Sequence, residues 1–166
     1  MITIVIPTFN EIRNISEIIN KLLILDFSSD IEIIIVDDNS SDGTADKVRE
    51  LVHNDKRIRL INRVGRSGLS SAIKEGCLSA SGELVVVMDA DGQHEPSFIR
   101  KALKCIESSK VDIVVGSRFT FGDREISVIG YLGDVSEFID EDDVSDEDTT
   151  TTDITSVVTE DDIDTA

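Results

Sequence analysis

Apolar and polar residues follow two alternating rhythms along this chain. Ile2 to Ile6 is an unbroken β-branched run ended by Pro7, and Ile15, Ile18, Ile19, Leu22 and Leu23 then recur at the spacing of one helix face. A buried strand followed by an amphipathic helix is predicted. The alternation returns with Ile31 to Val36 as a strand, Ala45 to Val52 as a helix and Ile58 to Ile61 as a strand. Leu69, Ala72, Ile73, Gly76, Cys77 and Ala80 make a further helical stripe, with Gly82 placed as its C-terminal cap. Leu84 to Met88 reads as a fourth strand, Ile99, Ala102, Leu103 and Ile106 as a fourth helix, and Val111 to Val115 as a fifth strand. Strands that are apolar throughout are those covered on both faces by helices in a parallel sheet. Five such strands alternating with helices therefore predict right-handed crossovers and a doubly wound, mostly parallel α/β domain.

Beyond Gly122 the rhythm fades. Ile126 to Leu132 is compatible with a short strand, whereas Asp134 to Ala166 is acidic and Thr-rich, with too little apolar surface to offset chain entropy. One domain over residues 1–122 and a disordered tail over residues 123–166 are expected, and 166 residues are too few for two comfortable domains.

In an open parallel sheet, ligands bind beyond the carboxyl ends of the strands. Pro7 to Glu11 follow the first strand, Asp37-Asp38 the second, Arg63 the third, Asp89-Ala90-Asp91 the fourth and Gly116-Ser117-Arg118 the fifth. All five groups are expected on one edge. Asp89, Asp91 and Gln93 are hard oxygen donors at i, i+2 and i+4, a set suited to Mg2+ or Mn2+ with a diphosphate completing the coordination. A solvated turn ahead of the helix near Ser97 is the plain alternative. Asp38 is placed to accept from a nucleobase or ribose, although Asp-Asp after a strand is also common in turns and caps. Arg118 is a phosphate-facing candidate, with a surface ion pair as its alternative. His94 is either a further ligand or a shaper of the loop before Glu95-Pro96, and Asp42 or Thr44 caps the second helix.

Charge limits the partners. The net charge of −18 is concentrated in residues 123–166, which hold 16 acids and one base (net −15), against 18 acids and 15 bases (net −3) in residues 1–122. Such a tail repels nucleic acid and anionic membrane as bulk partners, leaving a local nucleotide site open. Cys77 and Cys105 form no C-x-x-C pair, and no stretch approaches the ~20 apolar residues of a membrane span. A cytoplasmic setting is expected, with any membrane contact peripheral. Neither G-x-G-x-x-G nor G-x-x-x-x-G-K-[ST] follows a strand, and Gly65-Arg66-Ser67-Gly68 lacks the third Gly and the Lys, which disfavours dinucleotide redox chemistry and P-loop hydrolysis.

Taken in order, Ile6 to Glu11, Val36 to Thr44, Gly68 to Ala72, Val87 to His94 and Gly116 to Phe119 resemble the signature blocks of the family 2 glycosyltransferases of Rossmann-like GT-A fold. Within that family they resemble the polyprenyl-phosphate sugar transferases typified by dolichol-phosphate mannosyltransferase. The resemblance implies that Pro7, Phe9 and Glu11 line a nucleoside pocket, with Phe9 standing where Tyr is usual, and that Val36 and Asp38 contact the base side. It implies that Asp89, Ala90, Asp91 and Gln93 contact the diphosphate, with Asp91 and Gln93 on the metal, and that Arg118 contacts substrate phosphate. Asp89, Asp91 and Arg118 are the residues expected to carry catalysis. Gly92 replaces a usual Leu, which loosens the loop without removing a ligand.

The implied reaction moves a hexose, mannose or glucose, from a nucleoside diphosphate to a dolichyl or undecaprenyl phosphate with inversion. The implied partners are the nucleotide sugar, the lipid and a membrane or membrane-subunit contact. Asp123 onward departs from the family pattern, and a natural truncation, a frame-shifted reading and a divergent appendage all remain open. Two further function classes stay beside the transferase: a catalytically silent nucleotide-sugar-binding module lacking the acceptor half, and a nucleotidyltransferase, which also places acids at strand ends.

Overall fold

The computed structural model describes residues 1–91, 96–109, 113–115 and 129–132. Their elements are β1 (Ile2–Thr8), α1 (Ile15–Ile24), β2 (Ile31–Asp37), α2 (Thr44–Asn54), β3 (Ile58–Asn62), α3 (Leu69–Leu78), β4 (Leu84–Val87), α4 (Phe98–Ser109), β5 (Ile113–Val115) and β6 (Ile129–Leu132). They build one six-stranded sheet in the order β3-β2-β1-β4-β6-β5. The first four strands in that order are parallel. β6 runs antiparallel to both β4 and β5, so β5 keeps the direction of β4 without touching it. The mostly parallel doubly wound expectation holds. The insertion of β6 between β4 and β5 was not predictable from periodicity, which carries no information on which strand pairs with which.

The strand alternation divides the core between the two faces of the sheet. Ile2, Ile4 and Ile6 of β1 with Ile31, Ile33 and Ile35 of β2 pack against the apolar stripes of α1 and α4 and against Val48 of α2. Val5, Ile34 and Val36 point the other way, under Ala72 of α3. Ile4, Ile6, Ile33 and Ile35 have no exposure, and burying each such side chain contributes roughly 1.5–3 kcal/mol.

Pro7 does not end β1. Val5 O accepts from Met88 N and Thr8 O from Asp38 N, so successive residues face β4 and β2 in turn. Pro7 therefore faces the β4 side, beyond the last ladder pair Val5 with Val87, where its missing N–H stops the β4 ladder while β1 stays paired with β2 as far as Thr8. Gly82 is also reassigned. α3 ends at Leu78 with Ser79 as its cap, and a Cβ on Gly82 would lie 2.7 Å from Met1 O and 2.8 Å from Thr3 N. Glycine is required there by close backbone approach to β1, not by a left-handed cap.

Candidate functional site

The sheet order reverses between β1 and β4: β2 and β3 lie beyond β1, and β6 and β5 lie beyond β4. A crevice at the carboxyl ends of these two strands is where a doubly wound sheet presents its ligand site. The loops that form it are tied together by side chains. Asn10 and Asn39 hold left-handed backbone at φ 59° and 55°, a conformation Asn tolerates better than most residues. Asn10 N donates to Ser40 Oγ (2.8 Å), and Ser41 N donates back to Asn10 Oδ1 (3.1 Å). Ile12 N donates to Asp42 Oδ2 and Glu11 N to Thr44 Oγ1. Thr44 in turn donates its own N–H (2.9 Å) and hydroxyl (2.6 Å) to Asp42 Oδ1. The N-cap of α2 is Gly43, at φ 96° and without a side-chain cap bond, so neither Asp42 nor Thr44 caps the helix as expected; Asp42 instead braces Thr44, the first helical residue. Desolvation pushes its carboxyl up, but the bonds from Thr44 and Ile12 outweigh this and hold it below the usual carboxylate range.

Asp37 and Asp38 separate into two roles. Asp37 is fully buried; it accepts from the Thr8 and Ser40 hydroxyls on Oδ1 and from Ser40 N on Oδ2. It is a turn organiser. Asp38 reaches instead toward β3 and α3. Arg63 Nη1 donates to Asp38 Oδ1 (2.6 Å) and to Gly68 O (3.1 Å), Arg63 Nη2 donates to Ser71 Oγ, and Gly68 N donates to Asp38 Oδ2 (2.7 Å). Arg63 Nε lies 3.2 Å from Glu75 Oε2, close enough for an ion pair but without hydrogen-bond geometry. Glu75 also takes Arg66 Nη2 and Nε, and the Arg66 hydrogen bonds hold its carboxyl below the ordinary range despite partial desolvation.

Beside this network opens a cleft of about 120 Å3 lined by Pro7, Thr8, Phe9, Asp38, Leu69 and Ala72. Pro7 is buried in its floor, while Phe9 (62% exposed) and Leu69 (60%) form its lips. Three of the expected nucleoside-side residues, Pro7, Phe9 and Asp38, therefore converge. Glu11 is half-buried and accepts from Asn14 Nδ2. Val36 is different: its side chain has no exposure and packs beneath Gly76, so it offers no surface to a base. Leu69, read from the sequence as part of a helical stripe, is the exposed first residue of α3. Its place just after a glycine loop on the carboxyl edge was the signal for this. Thr8 and Ala72 as cleft walls, and the Asn10-Ser40-Thr44 stitching, leave no trace in periodicity.

Across the switch point, β4 delivers Asp89 half-buried, Ala90 buried and Asp91 exposed. Gln93, His94 and Arg118 lie outside the described residues. Among the described residues no group of three His, Cys, Asp or Glu side chains would hold a metal by itself. Two adjacent carboxylates are nonetheless hard donors of the kind Mg2+ and Mn2+ take, and such ions fill their remaining positions from phosphate oxygens and water. The donor set fits.

Comparison with known proteins agrees with this architecture. The glycosyl transferase family 2 model matches residues 3–129. A dolichol-phosphate mannosyltransferase of Pyrococcus furiosus is 38% identical over 123 residues, covering 74% of this chain and 34% of the relative. Another from Saccharomyces cerevisiae is 32% identical, covering 72% and 45%. This chain thus spans between a third and a half of those relatives' length. Among solved structures, the mannosyltransferase PcManGT from Pyrobaculum calidifontis, in complex with GDP-Man and Mn2+, superimposes with a TM-score of 0.66 at 22% identity, over 79% of this chain and 44% of its own. With the family model matching most of the chain and relatives at 32% and 38% identity, the chain belongs to glycosyl transferase family 2.

Proposed function

We propose that the switch-point crevice binds a nucleoside-diphosphate sugar, and that the chain belongs to an enzyme transferring a hexose, mannose or glucose, to a polyprenyl phosphate. The observation that carries this is the Pro7-Phe9-Asp38 cleft at the carboxyl edge of the sheet, on which the neighbouring strand β4 also ends in Asp89-Ala90-Asp91. The naming of the curated relatives as dolichol-phosphate mannosyltransferases supports the acceptor class, and the GDP-Man and Mn2+ bound by PcManGT support the donor class and a divalent cation.

In this reading the base lies against Phe9, with Asp38 accepting one of its N–H groups, and the diphosphate lies at Asp89, Ala90 and Asp91, with Gln93 and Arg118 completing the phosphate side. Asp91 and Gln93, with Asp89, would hold Mg2+ or Mn2+, which neutralises charge on the departing diphosphate. An acceptor phosphate oxygen attacks the anomeric carbon as the bond to the diphosphate breaks, so configuration inverts and the electron pair leaves with the nucleotide. A phosphate monoester has its second pKa at about 6 and is mostly ionised at neutral pH. No protein carboxylate is then needed to take a proton. A lipid acceptor also entails peripheral contact with a membrane or a membrane subunit; no helix among the described residues is long and apolar enough to cross one.

The test is calorimetry with GDP and UDP, with and without Mn2+ or Mg2+. It is followed by transfer from labelled GDP-mannose or UDP-glucose to dolichyl or undecaprenyl phosphate. Metal-dependent binding with labelled lipid product is expected. Binding without product from any pair would favour the silent nucleotide-binding module, and no binding would remove both readings. Asp91→Ala should abolish most metal-dependent affinity, and unchanged affinity would sink the metal assignment.

A further inference from the structure

Arg63 is one of the largest fully buried side chains of the domain, at 1% exposure, yet it stands at the ligand edge of the sheet. It does not line the cleft, but its partner Asp38 does, and its partners Gly68 and Ser71 each sit next in sequence to a cleft residue, Leu69 and Ala72. Nη1 holds Asp38 Oδ1 and Gly68 O together, while Gly68 N returns to Asp38 Oδ2, so one residue, Gly68, is gripped through both its N–H and its C=O by the two members of an ion pair. Gly68 sits at φ 123°, backbone that residues with a side chain rarely adopt. The same Gly68 O takes the first helical bond of α3, from Ala72 N (2.9 Å), and Nη2 reaches Ser71 one turn in. Asp38 and the start of α3, which carry the cleft residues Asp38, Leu69 and Ala72, are thus tied to each other by one guanidinium, while Ala72 is also seated in the core. Each Asp38 oxygen has two lone pairs, so after binding Arg63 and Gly68 the carboxylate can still accept from a ligand.

We infer that Arg63 is a positioning residue for the donor nucleotide, fixing both the direction of the Asp38 carboxylate and the seat of the first turn of α3 against the base. The inference rests on the donor-site reading above. A planar guanidinium reaches acceptors at Asp38 just after β2, Gly68 before α3 and Ser71 on α3 at once; the compact ammonium of lysine does not span them. Losing such an orienting partner commonly weakens a site about 10- to 100-fold.

The experiment compares Arg63→Lys, Arg63→Gln and Ser71→Ala with the wild type. Unfolding midpoints are measured beside Kd for whichever of GDP or UDP the wild type binds with Mn2+, and for the matching nucleoside monophosphate without metal. Folded Arg63 variants should bind the diphosphate and the monophosphate about tenfold or more weakly by the same factor, because the defect lies at the base end. Asp91→Ala, by contrast, should weaken only the metal-dependent diphosphate. Added to Asp38→Asn, the Arg63 change should cost little more, since both break one clasp. A general loss of stability would not produce that pattern. If Arg63→Gln does not fold, Arg63→Lys and Ser71→Ala carry the same comparison. Wild-type affinity in folded variants, or losses that add fully to those of Asp38→Asn, would overturn the role while leaving the donor site standing. A wild type that binds no nucleotide would remove both.

Discussion

Gly76→Ala should destabilise the domain although it improves the helix. Gly76 lies within α3 (Leu69–Leu78), facing the sheet. A Cβ built there overlaps Val5 Cγ1 and comes to 3.0 Å from Val36 Cγ2. Alanine in place of glycine inside a helix is worth about 1 kcal/mol, and overpacking a filled site costs about 1–3 kcal/mol. Relief is poor here: Val5 and Val36 are fully buried, β-branched and stiff at χ1, and they sit on adjacent strands β1 and β2, with β4 on the far side of β1. The upper half of that cost applies, leaving a net loss of about 1–2 kcal/mol. Urea unfolding followed by circular dichroism should show a lower midpoint with unchanged slope. In a Val5→Ala background the overlapping methyl is gone, so the same Gly76→Ala change should become neutral or mildly stabilising, a coupling of about 1–2 kcal/mol. A Gly76→Ala protein as stable as the wild type, or an equal penalty in both backgrounds, would refute the packing argument.

Other outcomes follow from the same contacts. Phe9→Ala should leave the unfolding midpoint unchanged, because the ring is mostly exposed, but weaken nucleotide binding by about 1–3 kcal/mol if the base stacks on it; unaltered Kd by calorimetry would remove Phe9 from the site. Glu32 is nearly buried and accepts from Thr3, Ser81 and Arg59. Burial pushes its carboxyl up, but the Arg59, Ser81 and Thr3 bonds together bring it below its ordinary value. Its stabilisation is therefore present above the unfolded pKa of about 4.3 and is lost as pH falls through the lower folded value. Denaturant titrations across that range should show a steeper acid loss for the wild type than for Glu32→Gln, and parallel curves would contradict the linkage. Burial raises the Cys77 thiol pKa, so alkylation at neutral pH should be slow in the folded chain and fast in urea; rapid native labelling would contradict this.

Much of the domain is legible from local pattern because each strand and helix must bury an apolar face of its own period. Ile2 to Ile6 and Ile31 to Val36 announce two central strands whichever neighbours they acquire, and the acids at their ends fall on the ligand edge because parallel strands all run one way. Asp38 and Asp89 to Asp91 were visible as chemistry for that reason. Periodicity is silent on pairings between residues far apart in the chain. The sequence singled out Asp38, but it did not show that Asp37 is sealed by Thr8 and Ser40 or that Asp38 is clasped by Arg63 and Gly68. Nor does it bury Val36 while exposing Leu69, or convert Gly82 from a helix cap into a close approach to Met1 and Thr3.

By itself, then, the sequence determined the kind of elements, the edge on which the acids gather and the family they resemble, since these depend on local spacing and residue type. Only the tertiary structure decided that β6 separates β5 from β4, that the cleft opens between the ends of β1 and β2 and the start of α3, and that a buried arginine ties Asp38 to the start of α3. Those depend on which backbones hydrogen-bond and which buried charges must find partners across 25 residues of chain, as Arg63 and Asp38 do, contacts formed only once the sheet closes.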